Sequence, residues 1–229
     1  MEQKNSSLSE AAHHFKSIPW YATLLERPGV LTFTPTSRLP EDLTGHSPTQ
    51  DQLFRKTLNN TDTVPHCIGF YQDPFSSNLE IQGSPSSSSG SSSQLGSKLL
   101  VNSASLIFDL CPGVNGFNGT AHGGLISSLV DEAMGSLIFI NHQVQTREQA
   151  QGRRLPRDVL DLNNSRFFTA SMTVRFLKPI PTPQTVVVTA SLNRIEGRKM
   201  SLDVTVKGKH QVEFARCDGL WMSLPKGKM

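Results

Sequence analysis

Apolar residues crowd every side of one stretch of the chain: Leu125, Ile126, Leu129, Val130, Ala133, Met134, Leu137 and Ile138. Their three- and four-residue spacing predicts a helix, and apolar residues all round it predict that the helix is buried. Ser127, Asp131 and Gly135 recur at every fourth position and so share one stripe of that helix. A carboxylate on such a stripe is costly unless it has a partner or a task.

Ahead of this helix, residues 11–27 read as another, with Phe15, Ile18, Leu24 and Leu25 on its apolar face. Pro19 interrupts it and Pro28-Gly29 stops it; its expected role is to cap the domain. Residues 1–10 are polar and expected to fray. Residues 32–50, rich in Thr, Pro and Ser, read as a loop, and residues 51–58 as a short helix around Leu53 and Phe54. Residues 64–71 read as a strand ended by Asp73-Pro74. Residues 83–97 are Ser-rich, with nothing to bury, and predict a flexible insertion between the first two strands. Such an insertion is tolerable because the cost of loop closure grows slowly with length. A second strand is expected over residues 99–110, turned by Pro112-Gly113.

Beyond the buried helix, residues 143–165 are polar, carry Arg147, Arg153, Arg154 and Arg157, and read as a solvated insertion. Residues 168–177 alternate, with Ala170, Met172, Val174 and Phe176 on one face and Thr169, Ser171, Thr173 and Arg175 on the other. Strands over 185–193, 200–206 and 213–222 follow, with Gly197 and Lys207-Gly208-Lys209 at the turns. One long buried helix followed by an antiparallel run predicts the α+β class, a sheet wrapped around a helix. The expected organisation is an N-terminal helical extension over residues 1–60 and a single domain over 61–225.

Composition narrows the partners. The 229 residues suffice for one domain with extensions, and a hydrophobic share of 36% predicts that part of the chain lies outside the core. A net charge of +3 does not predict a nucleic-acid partner, although local basic clusters can hold a phosphate ligand. Cys67, Cys111 and Cys217 are odd in number, widely spaced and free of any C-x-x-C pattern. They predict free thiols in a reducing compartment, with neither a zinc site nor a disulfide framework. No run reaches the roughly 18 apolar residues needed to span a bilayer. Met1-Glu2-Gln3-Lys4 lacks the apolar segment of a signal peptide, and Glu2 and Glu10 count against a mitochondrial presequence. The expectation is a soluble intracellular protein, cytoplasmic rather than mitochondrial.

The candidate chemistry lies where Gly119-Thr120-Ala121-His122-Gly123-Gly124 runs into the buried helix. Gly123 and Gly124 let backbone approach a ligand closely, and the first N–H groups of a helix have no intrahelical partner. Such donors, aided by the helix dipole, can hold a developing oxyanion. His-Gly-Gly with an Asp seven residues after its second glycine resembles the hot-dog-fold acyl-CoA thioesterases. The likeness is greatest to the phenylacetate-degradation and thioesterase-superfamily branches, over residues 95–225.

The resemblance implies a hot-dog fold and hydrolysis of an acyl-CoA thioester to a carboxylic acid and CoA, with no cofactor and no metal. It implies that the Gly124 N–H, with Gly123 beside it, points at the thioester oxygen. Asp131 is the implied base or nucleophile, and His122 orders the loop or acts near the carbonyl. Thr169 is the implied holder of the attacking water or the carboxylate. Glu132 points about 100° away from Asp131. The implied CoA contacts are Arg175, Lys178 and Pro179, and the turn formed by Arg194, Gly197, Arg198 and Lys199. Relatives often carry Asn six residues before the histidine; here that position is Gly116, flanked by Asn115 and Asn118.

Gly124 and Asp131 are separated by about 10 Å of helix, too far to serve one thioester carbon easily. This predicts that the two come from different subunits of a homodimer, or of a dimer of dimers, with antiparallel helices as the resemblance also implies. Two other functions compete: a hot-dog dehydratase or hydratase pairing His122 with a carboxylate, and a non-catalytic acyl-CoA-binding scaffold.

Overall fold

The computed structural model describes residues 3–39, 49–76 and 98–225. The Ser-rich stretch 83–97 lies outside them. Two short helices, α1 (Gln3–Lys16) and α2 (Pro19–Leu25), open the chain, followed by strands β1 (Val30–Phe33), β2 (Cys67–Gln72) and β3 (Ser103–Leu110). A small ribbon of β4 (Asn115–Phe117) and β5 (Thr120–Ala121) leads into the long helix α3 (Gly123–Ala150). Strands β6 (Ser165–Phe176), β7 (Gln184–Glu196), β8 (Lys199–Lys207) and β9 (Glu213–Pro225) complete the fold.

Seven strands form one sheet in the order β1-β2-β3-β7-β8-β9-β6, with every neighbouring pair antiparallel. Strand alternation gives the sheet two apolar faces, because successive side chains point to opposite sides. Leu106, Phe108, Val186, Val188, Leu202 and Val204 face α3, against Leu129, Val130, Ala133, Met134 and Leu137, all buried. Ile68, Ile107 and Val187 point the other way and are covered by Phe15, Tyr21, Leu24 and Leu25 from α1 and α2. Complete burial of Phe15 alone contributes about 1.5–3 kcal/mol. This is the hot-dog arrangement: an antiparallel sheet wrapped around a long central helix, with further helices at the N-terminus.

Local expectations are revised in several places. The predicted helix 11–27 is two helices, and helical backbone begins as early as Gln3. They part at Ser17-Ile18 because Pro19, fixed in φ and lacking an N–H, suits the first turn of a new helix and not the interior of an old one. Residues 30–33 form β1 and pair with β2, so the sheet starts within the N-terminal 60 residues and overlaps the predicted loop 32–50. Leu53–Thr57 is one turn of π-helix.

The polar stretch 143–165 is not a solvated insertion throughout. Helix α3 continues through it to Ala150, and Gln145 and Glu148 are buried. The Gln145 amide donates to the Leu160 carbonyl at 2.8 Å and accepts from the Leu162 N–H at 3.0 Å, which ties the following segment onto the helix. Glu148 is ion-paired with Arg153. Helix α3 is also long and apolar enough, by length and composition, to cross a membrane, but half of its apolar window is buried inside the fold. All three cysteines are free thiols, with Cys67 and Cys217 buried and Cys111 half-buried.

Candidate active site

The His-Gly-Gly loop is held from both sides. The Ala121 N–H donates to the Ile180 carbonyl at 3.0 Å, and the His122 N–H to the Val114 carbonyl at 2.9 Å. His122 then caps α3: its Nδ1 accepts from the Gly124 N–H at 2.8 Å. The donor expected to face the thioester oxygen is therefore engaged by the neighbouring imidazole. The Gly123 N–H, the other donor expected at this loop, has no acceptor among the described residues. An Nδ1 that accepts places the proton of the neutral imidazole on Nε2. His122 therefore presents an N–H donor of its own to the same pocket.

That pocket, of about 440 Å³, is lined by Gly116, Phe117, His122, Gly123, Phe176 and Lys178, among others. A Cβ on Gly116 would lie 2.8 Å from the His122 ring, so only glycine permits this approach. Asn115 does not replace toward the site the Asn that relatives often carry at this position, because its side-chain oxygen accepts from the Thr182 hydroxyl. Phe117 is 83% exposed, and Phe176 and Leu177 are also exposed, forming an apolar rim. No sequence pattern distinguished these three as site residues; their exposure in the folded chain does.

Asp131 lies on the stripe expected of it, one face of α3, and is half-buried. Its Oδ1 accepts from the Thr169 hydroxyl at 2.7 Å. Ser127, the alternative partner on the stripe, instead donates to the Gly123 carbonyl. Thr169 reaches Asp131 because of a β-bulge. In the β6–β9 pairing Thr169 opposes Trp221 and Ser171 opposes Leu220, which leaves Ala170 as the extra residue. Strict alternation through Ala170 would group it with Met172 and Val174 and turn Thr169 away from the helix. The bulge absorbs one residue, so Thr169 shares the helix side with Met172 and Val174.

Glu132 points elsewhere, as expected. Its side chain accepts from the Ser37 hydroxyl, and burial pushes its pKa up to about 7. The Ser37 hydrogen bond and the Arg38 charge act in the opposite direction, and Asp51 and Asp131 add to the rise. Sequence order alone did not mark this residue, since Ser37 is 95 positions away.

The expected CoA contacts fall in three places. Lys178 and Pro179 line the His122 pocket. Arg194, Gly197, Arg198 and Lys199 occupy the β7–β8 hairpin, where Lys199 pairs with Met222, beside the Trp221 that pairs with Thr169. Gly197 adopts a φ of 57°, which favours glycine at that turn. Arg198 donates to the Ser223 carbonyl at 3.0 Å, and Arg194 lies 3.5 Å from Glu196. Arg175 is on the opposite face of β6, ion-paired with the exposed Asp218.

Within one chain the parts thus form two separate groups. Phe176 stands beside Gly123, and Thr169 beside Asp131. Seven residues of strand, about 20 Å, separate the two positions on β6.

Residues 118–215 match the family described as the thioesterase superfamily. Verlamelin biosynthesis protein B of Lecanicillium is 30% identical over 179 residues, covering 75% of this chain and 71% of that protein. Acyl-coenzyme A thioesterase THEM4 of Bos taurus is 24% identical over 123 residues; the match covers 53% of this chain but only 41% of that longer protein. Among solved structures, the Escherichia coli PaaI protein of the phenylacetic acid degradation operon is 15% identical, with a TM-score of 0.42 over 54% of this chain and 73% of its own. A Streptococcus mutans protein bound to acetyl-CoA is 17% identical, with a TM-score of 0.42 over 55% of this chain and 83% of its own. The family match across the loop, the central helix and the strands, with a likeness running through three quarters of the chain, shows that it belongs to the thioesterase superfamily, the thioester hydrolases.

Proposed function

We propose that this protein is an acyl-CoA thioesterase that works as a two-fold dimer, each site built from both subunits. The observation that carries the reading is the 2.7 Å contact from Thr169 to Asp131, set apart from the His122-Gly123 pocket. A carboxylate on a mostly apolar helix, oriented by a hydroxyl, suits activation of water. The Thr169 hydrogen goes to Asp131 Oδ1, so the Thr169 oxygen is left to accept from a water and Asp131 Oδ2 to take that water's proton. The Gly123 N–H and the His122 Nε2–H polarise the thioester carbonyl and stabilise the oxyanion that forms on attack. Collapse of the intermediate expels the CoA thiolate. Lys178 and the cations of the β7–β8 hairpin supply positive charge for the CoA phosphates. A dehydratase would need an unprotonated His122 Nε2 to take the proton from the acyl chain, and the capping bond from the Gly124 N–H to Nδ1, which puts the neutral ring's proton on Nε2, opposes that.

Three features support the dimer. Strand β6 lies at the edge of the sheet, bonded among the described residues only to β9. An unpaired edge of this length is normally covered. Phe117, Phe168, Phe176 and Leu177 are exposed on or beside it. Pairing β6 with its two-fold copy would bring the His122-Gly123 loop of one subunit toward Asp131 and Thr169 of the other.

Thiol release from acyl-CoAs of graded length tests the activity. Turnover of at least one of them, falling by roughly 10²–10⁴-fold in Asp131→Asn with the fold retained, is expected. Binding without turnover across the series would leave only the scaffold reading. Hydrolysis in ¹⁸O water tests direct attack by Asp131: label in its carboxylate requires a mixed anhydride opened by water at the aspartyl carbon, and the base role puts none there.

A further inference from the structure

On the face of the sheet away from α3, three ligand-bearing side chains converge from distant parts of the chain. His14 comes from α1, His66 from the segment entering β2, and Asp109 from β3. One ligand atom from each lies within 4.8 Å of the other two. His14 Nε2 contacts Asp109 Oδ2 at 2.5 Å, and the two imidazole rings stack with centroids 3.9 Å apart. His66 has no side-chain hydrogen-bond partner among the described residues, although its ring is only partly exposed. Thr185 donates to Asp109 Oδ1, which orients the carboxylate and leaves Oδ2 directed at the histidines.

A fourth donor is close by. Glu10 is four residues before His14 on α1, and residues at that spacing share one helix face. Glu10 and His66 line the same small cavity, of about 220 Å³. Arg38 also borders this cavity, but its guanidinium is tied to the Val64 carbonyl and the Asn59 side chain. Cys67 borders it too, as a buried free thiol.

We propose that His14, His66 and Asp109, with Glu10 as fourth ligand, form a divalent-cation site of the zinc class that fastens α1 to the back of the sheet. Imidazole with carboxylate selects zinc and similar transition ions over magnesium and calcium, which take oxygen ligands. Two neutral imidazoles and two carboxylates exactly balance a doubly charged ion. Metal–ligand distances of about 2.0–2.2 Å in a tetrahedron put the ligand atoms about 3.3–3.6 Å apart. The His14–Asp109 contact must therefore open and the wider separations close, shifts that side-chain torsions can supply. The bond from Thr185 to Asp109 is the kind of outer contact that steadies metal-binding carboxylates.

The test uses the untagged full chain, stripped with chelator and titrated with zinc chloride by calorimetry. One equivalent should bind and should raise the thermal midpoint. His66→Gln removes a ligand that makes no side-chain hydrogen bond, so it should fold normally by circular dichroism. It should weaken zinc by at least about 10–100-fold, the scale of losing even an outer-shell partner, and abolish the thermal shift. Asp109→Asn should do the same, and Glu10→Gln should weaken binding less than either. Cobalt(II) should give a visible spectrum without a thiolate charge-transfer band. Absence of stoichiometric zinc binding overturns the site, as does unchanged affinity in folded His66→Gln. A cobalt thiolate band that disappears in Cys67→Ser also overturns it, in favour of a cysteine site. None of these readouts depends on thioester hydrolysis.

Discussion

If each active site joins two subunits, two dead variants should rescue one another. The first is Asp131→Asn, which removes the base and keeps the side chain's shape. The second is Gly123→Val, whose Cβ would touch the Phe176 ring at an ordinary 3.4 Å and whose two methyl groups add bulk beside the proposed oxygen-binding pocket. Both positions are on α3, which spaces them eight residues or about 12 Å apart along the axis, and their β6 neighbours are farther apart still. A mixed dimer then carries one site with both defects and one with neither. Random exchange makes about half of the dimers mixed, and each has one good site of two, so activity returns to about a quarter of wild type. The assay is thiol release after the two proteins are mixed under conditions of verified exchange, for example by native mass spectrometry. The parents, each reduced by roughly 10²–10⁴-fold, give a background far below that quarter. Confirmed mixed dimers with no recovered activity would place both groups in one subunit and refute the shared site.

Two further outcomes follow from particular contacts. Thr169→Ala removes a hydrogen bond to a carboxylate, worth about 1.5–3 kcal/mol, and should lower kcat/KM by about 10- to 150-fold. Thr169 is exposed in the single chain, so the loss should come with little change in thermal midpoint; an unaltered rate would show that Asp131 needs no orienting hydroxyl. Glu132 titrates at about 7 in the fold against an ordinary 4.5, so the folded state favours its protonated form. That contribution is fully present below pH about 4.5 and is lost as the pH rises through about 7, to a total of at most about 3 kcal/mol. Denaturant unfolding of wild type should weaken over this window, and Glu132→Gln should flatten the dependence; parallel curves for the two proteins would assign the pH effect to another group.

The central helix and most of the strands were legible in the amino-acid order because their signals are local. A helix bonds each residue to the one four positions away and a strand alternates every second residue, so periodicity alone reports buried faces. The spacing of Gly124 and Asp131 was legible for the same reason: one helix carries both, and its rise sets the distance between them. Pro19 also marked a real break, although periodicity across it read as one continuous helix.

What tertiary structure decided was phase and partnership across long separations. The alternation of residues 168–177 predicted the wrong side for Thr169, because a bulge is set by how β6 seats against β9 and Ala170 carries no local mark of it. Gln145 and Glu148 looked like solvated polar residues until packing gave them partners. The Gly124 N–H went to the His122 ring, a partnership set by ring orientation in a packed loop. Thr169 meets Asp131 across 38 positions, Ser37 meets Glu132 across 95, and His14 meets Asp109 across 95. Cysteine spacing pointed away from any metal, while His14, His66 and Asp109, which converge behind the sheet, lie far apart in the chain. Their meeting depends on sheet order and on the docking of α1, terms that no window of a few residues contains.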